Sequence, residues 1–324
     1  MEQTNQYVKQ FPELFEGKKV LYVHGFGSSG QSGTVKRLRT VLPNATVLAP
    51  DLPVHPQEAL DLLRQVCATE QPDLIIGTSM GGMYTEQLRG FDRICVNPAL
   101  CIADTMQQHG LTGTQTFQNP RRDGVQTFYV DKAMVKAYRE VSEQRFAGLD
   151  DADSRRVYGL FGDRDDLVDT FTLFREHYPY ACHFHGEHRM DDHSFMHSVV
   201  PVIRWVDDQQ EQRQRPIVYI GIETLKDGYG KPASSCQKAV RLLIENYQVY
   251  FVGDKDSTAW LEEYINVPAW RHTVYTPRRD LLYGDYLISR RKEGDTMATL
   301  LQYGSDTFKT WEDIIEYFSR LGGQ

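Results

Sequence analysis

The sequence predicts an α/β protein of two units, each a parallel sheet covered by helices, and three observations carry that reading. Short apolar runs alternate with segments of helical spacing from Lys19 to about Asp207; a stretch from Asp207 to Arg215 then holds no apolar residue; and the alternation resumes at Ile217. The chain has 324 residues, 40% of them apolar and 11% aromatic, enough to bury a core in each unit at roughly 100–200 residues per domain.

Taken in order, strands are expected over 20–23, 46–49, 74–76, 94–96, 157–161 and 182–185, each a short run rich in Val, Ile, Leu or aromatic residues. Between them the apolar spacing is helical, as in Ala59, Leu62, Leu63 and Val66 after the polar start Pro56-Gln57-Glu58. Residues 100–153 break the rhythm. They are rich in Thr, Gln, Asn and Arg until a helical segment over 133–146, and read as an insertion above the sheet. The boundaries that follow are a first domain over 1–208, a linker over 209–215 and a second domain over 216–324. In the second domain strands are expected over 217–222, 249–252, 286–288 and 300–303, with helices over 234–246 and 311–321.

Composition excludes several classes. Lys and Arg number 36 against 44 Asp and Glu, a net charge of −8, so no nucleic-acid partner is expected. No apolar run approaches the ~18 residues of a membrane span, and Met1 to Lys9 is polar, without the apolar stretch of a signal peptide. A cytoplasmic protein is expected. The cysteines Cys67, Cys95, Cys101, Cys182 and Cys236 are scattered, without Cys-x-x-Cys, and neither disulfides nor a cysteine-built zinc site is expected.

The sharpest local signal is Gly77-Thr78-Ser79-Met80-Gly81-Gly82, between the strand at 74–76 and a helix-like stretch from Met83 to Arg89. Strand, sharp turn and helix make a nucleophile elbow, in which glycines two residues either side of the serine keep Cβ atoms out of a crowded bend. In such chains an acid and then a histidine follow the serine. Gly162-Asp163-Arg164-Asp165-Asp166-Leu167-Val168 forms a polar turn at the C-terminal end of a strand, where ligands bind in open α/β sheets. Any of Asp163, Asp165 and Asp166 could orient a histidine there. After the next strand, Asp191-Asp192-His193-Ser194-Phe195 offers His193 as general base. Oxyanion donors are expected from the backbone N–H of Met80, next to the nucleophile, and of Phe26, in the loop His24-Gly25-Phe26-Gly27-Ser28-Ser29 after the first strand.

His24-Gly25-Phe26 with its paired serines, Leu52-Pro53, the elbow around Ser79, Val96-Asn97-Pro98-Ala99, the turn from Gly162 to Val168 and His193-Ser194-Phe195 together resemble the YqiA-type esterases of the α/β-hydrolase superfamily, over about residues 18–207. The resemblance implies an α/β-hydrolase sheet with a short lid over 100–153 that cleaves carboxylic esters or acyl thioesters. It implies Ser79 as nucleophile, His193 as base and Asp165 as orienting acid, since Asp165 fits the superfamily pattern G-x-x-D-x-x-V. No cofactor and no metal are implied.

A catalytically inactive hydrolase-fold binding protein is the alternative within this fold, and two other readings compete with it. Gly25-Phe26-Gly27-Ser28-Ser29-Gly30 is also a G-x-G-x-x-G, with Asp51 after the second strand, as in NAD(P)-binding oxidoreductases. Gln31-Ser32-Gly33 delays the helix, however, and this reading leaves the elbow, the acid turn and His193 unexplained. The run His183, His185, His188, Asp191, Asp192, His193, His197 collects metal-ligand types without the spacing of a zinc motif.

Gly284-Asp285-Tyr286-Leu287-Ile288, Leu301-Gln302-Tyr303-Gly304-Ser305 and Phe308-Lys309-Thr310-Trp311-Glu312 resemble the end of a haloacid-dehalogenase-like fold of the deoxyribonucleotidase kind, over about 215–322. A smaller, Rossmann-like α/β domain follows from that. The family's Asp-x-Asp-x-Thr is replaced by Gly221-Ile222-Glu223-Thr224, and Ser289-Arg290-Arg291 stands where an acidic pair would hold magnesium. A phosphatase fold without its chemistry is implied, serving docking or homodimerisation. Arg278, Arg279, Arg290, Arg291 and Lys292 are expected to give it a basic edge.

Overall fold

The computed structural model describes residues 8–265, 272–292, 294 and 296–321. The chain divides into two compact units, 1–207 and 208–324.

Six strands of the first unit, β1 (Lys19–Val23), β2 (Thr46–Leu48), β3 (Leu74–Thr78), β4 (Arg93–Val96), β7 (Val157–Gly162) and β8 (Tyr180–Phe184), form one sheet in the order β2-β1-β3-β4-β7-β8, every pair parallel. Their continuous apolar runs make this necessary. Leu74, Ile75 and Ile76, like Ile94, Cys95 and Val96, are buried side by side, which a sheet covered on both faces allows and a half-exposed sheet does not. The order reverses between β1 and β3, so the C-terminal ends of β3, β4 and β7 open onto one crevice, where functional groups collect in such sheets.

The insertion over 100–153 contains the helices Ile102–Gln108 and Lys132–Ser142 and an antiparallel hairpin, β5 (Gly113–Thr116) with β6 (Thr127–Val130). The hairpin is not evident from the sequence because its short strands turn only alternate positions inward, and of these only Val130 is fully buried. Asp131 caps the second helix, its side chain accepting from Met134 N–H at 2.7 Å. Val135, Tyr138 and Val141 of that helix share a core with Met80, Met83 and Tyr84 of the elbow helix, Met80–Glu86. The insertion is therefore tied to the elbow by a common apolar core.

The stretch expected as a linker is partly helical. The helix Val200–Gln210 runs into it: Asp207 is buried against Lys18 at 2.7 Å, and Asp208 accepts from Arg215 Nε at 2.7 Å. These charges are paired rather than solvated, which a count of apolar residues cannot reveal.

The second unit is a five-stranded parallel sheet, β9 (Ile217–Gly221), β10 (Gln248–Gly253), β11 (Thr273–Tyr275), β12 (Tyr286–Ser289) and β13 (Thr299–Gln302), in the order β11-β10-β9-β12-β13. The helices Cys236–Asn246 and Trp311–Arg320 pack on it through Val240, Leu243, Trp311, Ile314 and Phe318. The three-residue edge strand β11 is not anticipated. Among the described residues no helix is long and apolar enough to cross a membrane.

Candidate active site

Ser79 stands between β3 and the elbow helix with φ 57° and ψ −121°, a conformation that L-residues rarely adopt. The neighbouring glycines show why the bend is built this way. A Cβ on Gly77 would lie 2.3 Å from the Gly81 carbonyl oxygen, and one on Gly81 would lie 2.0 Å from the Val23 carbonyl oxygen. Neither backbone atom can move aside, so the serine is held up at the end of the sheet.

His188, in the loop after β8, bridges this serine to the acid turn. Its Nε2 lies 3.0 Å from Ser79 Oγ and its Nδ1 lies 2.8 Å from Asp165 Oδ2. The other Asp165 oxygen, Oδ1, accepts from the N–H groups of Leu167 and Val168, both at 2.9 Å. Burial pushes the Asp165 carboxyl up, but the hydrogen bond and charge of His188, with those two N–H groups, outweigh it and leave the carboxyl below its ordinary value. An ionised, fixed acceptor on Nδ1 keeps the proton there and presents Nε2 to the hydroxyl.

Asn97 locks the two loops together. It is buried just beyond β4, its Oδ1 accepts from Gly162 N–H at 2.7 Å, and its Nδ2 donates to the carbonyls of Glu187 at 3.2 Å and His188 at 3.1 Å. One side chain thus ties the strand that carries the acid to the loop that carries the imidazole.

Ser79 and Asp165 are brought together as the sequence reading pairs them, but with His188 in place of His193. His193 is exposed in the short helix Asp192–Ser194, its ring 4.4 Å from that of His197. Asp191 caps this helix, accepting from Ser194 N–H at 2.7 Å, and Asp192 pairs with Arg37. The sequence carries a signal for this. Asp191 three residues before Ser194 marks a helix start, and His193 and His197 are spaced to meet on one helical face. His188 follows Gly186 in an uncapped loop. Asp163 is occupied elsewhere, with Oδ2 2.8 Å from His185 Nδ1 and Oδ1 accepting from Gly186 N–H at 2.9 Å, and Asp166 is exposed.

Of the two residues expected to supply oxyanion donors, Met80 follows the serine directly and Phe26 lines its cavity. Met80 is the first residue of the elbow helix, where no intrahelical carbonyl reaches its N–H. Phe26 lines the same cavity as Ser79, and its neighbour Gly25 packs so closely that a Cβ there would be 3.3 Å from Ser79 Cβ. The loop is fixed from both sides: Gln118 N–H donates to the Gly27 carbonyl at 2.8 Å, and the Phe26 ring meets Phe128 edge-on at 5.2 Å.

His24 anchors the loop from beneath. Its Nδ1 lies 2.9 Å from the Gly25 carbonyl oxygen, and its Nε2 accepts from Leu52 N–H at 3.0 Å, so Nδ1 carries the proton. Burial lowers its pKa from 6.5 to about 4. Between those values the unfolded chain binds a proton that the folded chain refuses, so stability is lost as pH falls from 6.5 towards 4. This group alone should cost about 2 kcal/mol at pH 5 relative to pH 7. Urea unfolding at both pH values is expected to show a smaller acid loss for His24→Gln than for the wild type. An identical loss in both would contradict the assignment.

Asp51, the acid of the dinucleotide reading, is engaged in the fold. Its Oδ1 accepts from Gly30 N–H and its Oδ2 from Arg122 N–H, both at 2.7 Å. Among the described residues no group of three or more His, Cys, Asp and Glu side chains is arranged to hold a metal ion.

In the second unit, Glu223 is clamped by Arg279, each oxygen accepting from one Nη at 2.7 Å, and Arg279 Nη1 also donates to Ser289 Oγ at 2.8 Å. This pair fills the space beside Gly221, where a Cβ would lie 2.5 Å from Glu223 Oε1. The expected basic edge is consequently diminished. Arg279 is buried, Arg278 pairs with Asp280 at 2.6 Å, and Arg290 donates to the carbonyls of Glu223 and Lys226 at 2.9 Å.

Comparison with known proteins places the first unit. The UPF0227 family, described as an uncharacterised protein family, matches residues 19–195. A curated relative from Vibrio phage KVP40, provisionally named a 5'(3')-deoxyribonucleotidase, is 23% identical over 101 residues, 28% of this chain and 59% of that protein. The chain thus spans about three fifths of the length of the curated relative it matches. Similar solved structures include a monoacylglycerol lipase of Paleococcus ferrophilus, 15% identical, covering 59% of this chain and 94% of the lipase with a TM-score of 0.41. Est1E of Butyrivibrio proteoclasticus, also 15% identical, covers 63% of this chain and 91% of its own with a TM-score of 0.40.

Proposed function

The chain belongs to the UPF0227 family, and from that premise we propose that Ser79, His188 and Asp165 are the catalytic triad of a serine hydrolase acting on carboxylic esters or acyl thioesters. The observation that carries the proposal is the continuous relay from Ser79 Oγ through His188 to Asp165, at 3.0 and 2.8 Å, behind a strained serine. Ser79 Oγ attacks the acyl carbonyl while His188 Nε2 takes its proton. The N–H groups of Met80 and Phe26 receive the negative charge that develops on the carbonyl oxygen. Collapse of the tetrahedral intermediate breaks the bond to the alcohol or thiol, which leaves with the proton from His188. A water, deprotonated by the same imidazole, then attacks the acyl-serine; the serine regains its proton and the acid is released.

The cavity over Ser79 has a volume of about 490 Å³, which suits short to medium acyl groups. The test is hydrolysis of 4-nitrophenyl butyrate and of a short acyl thioester by the purified chain, without metal or nucleotide. Turnover of either is the expected result; inertness toward both, in a protein that unfolds cooperatively, would contradict the proposal.

The second unit is assigned no phosphatase chemistry. A magnesium-dependent phosphatase needs free carboxylates at the ends of β9 and β12, but the donor set does not fit: Glu223 is neutralised by Arg279, and Gly221 and Ser289 offer no carboxylate. Phosphate release from nucleoside monophosphates is expected to stay at background with and without magnesium. Release that requires magnesium and survives Ser79→Ala would overturn this.

A further inference from the structure

The cavity over Ser79 is lined by two kinds of side chain. Ile102, Met106 and Leu111, from the segment after β4, and Leu167, from the acid turn, are apolar. Arg37 after β1, Gln118 of the insertion and Arg189 are polar. Two guanidinium groups line this cavity and, among the described residues, no carboxylate lines it, although the chain carries a net charge of −8. A guanidinium without an anionic partner on an acidic protein concentrates anions where the average field would repel them.

The two arginines are not equivalent. Arg37 is neutralised by Asp192, whereas Arg189 donates to a neutral acceptor, Gln118 Oε1, at 2.7 Å. Arg189 also follows His188 directly in the chain.

We infer that the substrate is an ester or thioester with an anionic leaving group, whose carboxylate or phosphate is held by Arg189 while its acyl group lies against Ile102, Met106 and Leu111. The inference rests on the serine-hydrolase reading. The anion is assigned to the leaving group because His188, the residue that protonates the departing oxygen or sulfur, adjoins Arg189. Arg189 is a binding residue here and takes no part in bond breaking.

The test compares 4-nitrophenyl butyrate with its analogue carrying a carboxylate on the nitrophenyl ring, each kcat/KM being divided by the rate of hydroxide hydrolysis of that ester. The wild type is expected to favour the carboxylated ester by roughly tenfold at low salt, the size of one partly exposed charge-assisted contact, and the preference is expected to shrink as salt is added. In Arg189→Gln the ratio is expected to fall to about one. A ratio near one in the wild type, or one that Arg189→Gln leaves intact, would overturn the inference. Failure of the hydrolase reading is distinguished by a binding arm that needs no turnover. In the Ser79→Ala protein, calorimetry is expected to show N-butyryl-aminobenzoate binding more tightly than N-butyrylaniline, and Arg189→Gln in that background is expected to remove the difference. Equal affinities of the two amides would overturn the inference even if esters are hydrolysed.

Discussion

His188→Ala is expected to lower kcat on 4-nitrophenyl butyrate by at least ~10³-fold, because the serine loses the base that activates it. His193→Ala should stay within about threefold of the wild type. The contrast follows from position. His188 reaches both Ser79 Oγ, at 3.0 Å, and Asp165, at 2.8 Å, while His193 faces His197 on a capped helix turn. Steady-state kinetics on the two variants, with melting curves to show that both are folded, checks the assignment. A large loss in His193→Ala with His188→Ala near wild type would reverse it.

Ser79→Ala should cost as much as His188→Ala, and the double variant no more than either, since residues acting as one unit do not add. Asp165→Asn removes an ionised acceptor from His188 Nδ1 and lets the ring adopt the wrong tautomer, at a cost of about 10²–10⁴-fold. Asp163→Asn, whose carboxylate serves His185 and Gly186 N–H, should cost less than about tenfold. The carboxyl of Asp165 lies below its ordinary range, so it stays ionised through the neutral region, and its own titration should not limit activity above about pH 4. Should Asp163→Asn be the more damaging change, the relay through Asp165 would be wrong.

The fold was legible wherever burial is two-sided. Leu74-Ile75-Ile76 and Ile94-Cys95-Val96 read as strands because a covered parallel sheet wants unbroken apolar runs, and the crowded bend around Ser79 explains its glycines. Structure set by partial burial or by pairing was not legible. In the hairpin β5–β6 Gln115, Phe128 and Val130 alternate with exposed Thr114, Thr127 and Tyr129, and β11 is three residues at a sheet edge. Two histidines, His188 and His193, follow the same strand, and residue type alone does not tell which one bridges Ser79 and Asp165 and which one a cap withdraws into a helix. Asp191 and Ser194 would have told it. The arginines of the second unit misled for a related reason: a cluster of like charges in sequence, Arg278 and Arg279, is divided in space between Asp280 and Glu223.

The measurement that tests the central claim most directly is labelling of the intact chain by a fluorophosphonate, followed by mapping of the adduct by mass spectrometry. Organophosphorus labels need a nucleophilic serine with its base in place. The account predicts one adduct, on Ser79, abolished by Ser79→Ala, slowed by at least ~10²-fold in His188→Ala and formed at the wild-type rate in His193→Ala. No adduct on Ser79, or labelling that His188→Ala leaves unchanged, would contradict it.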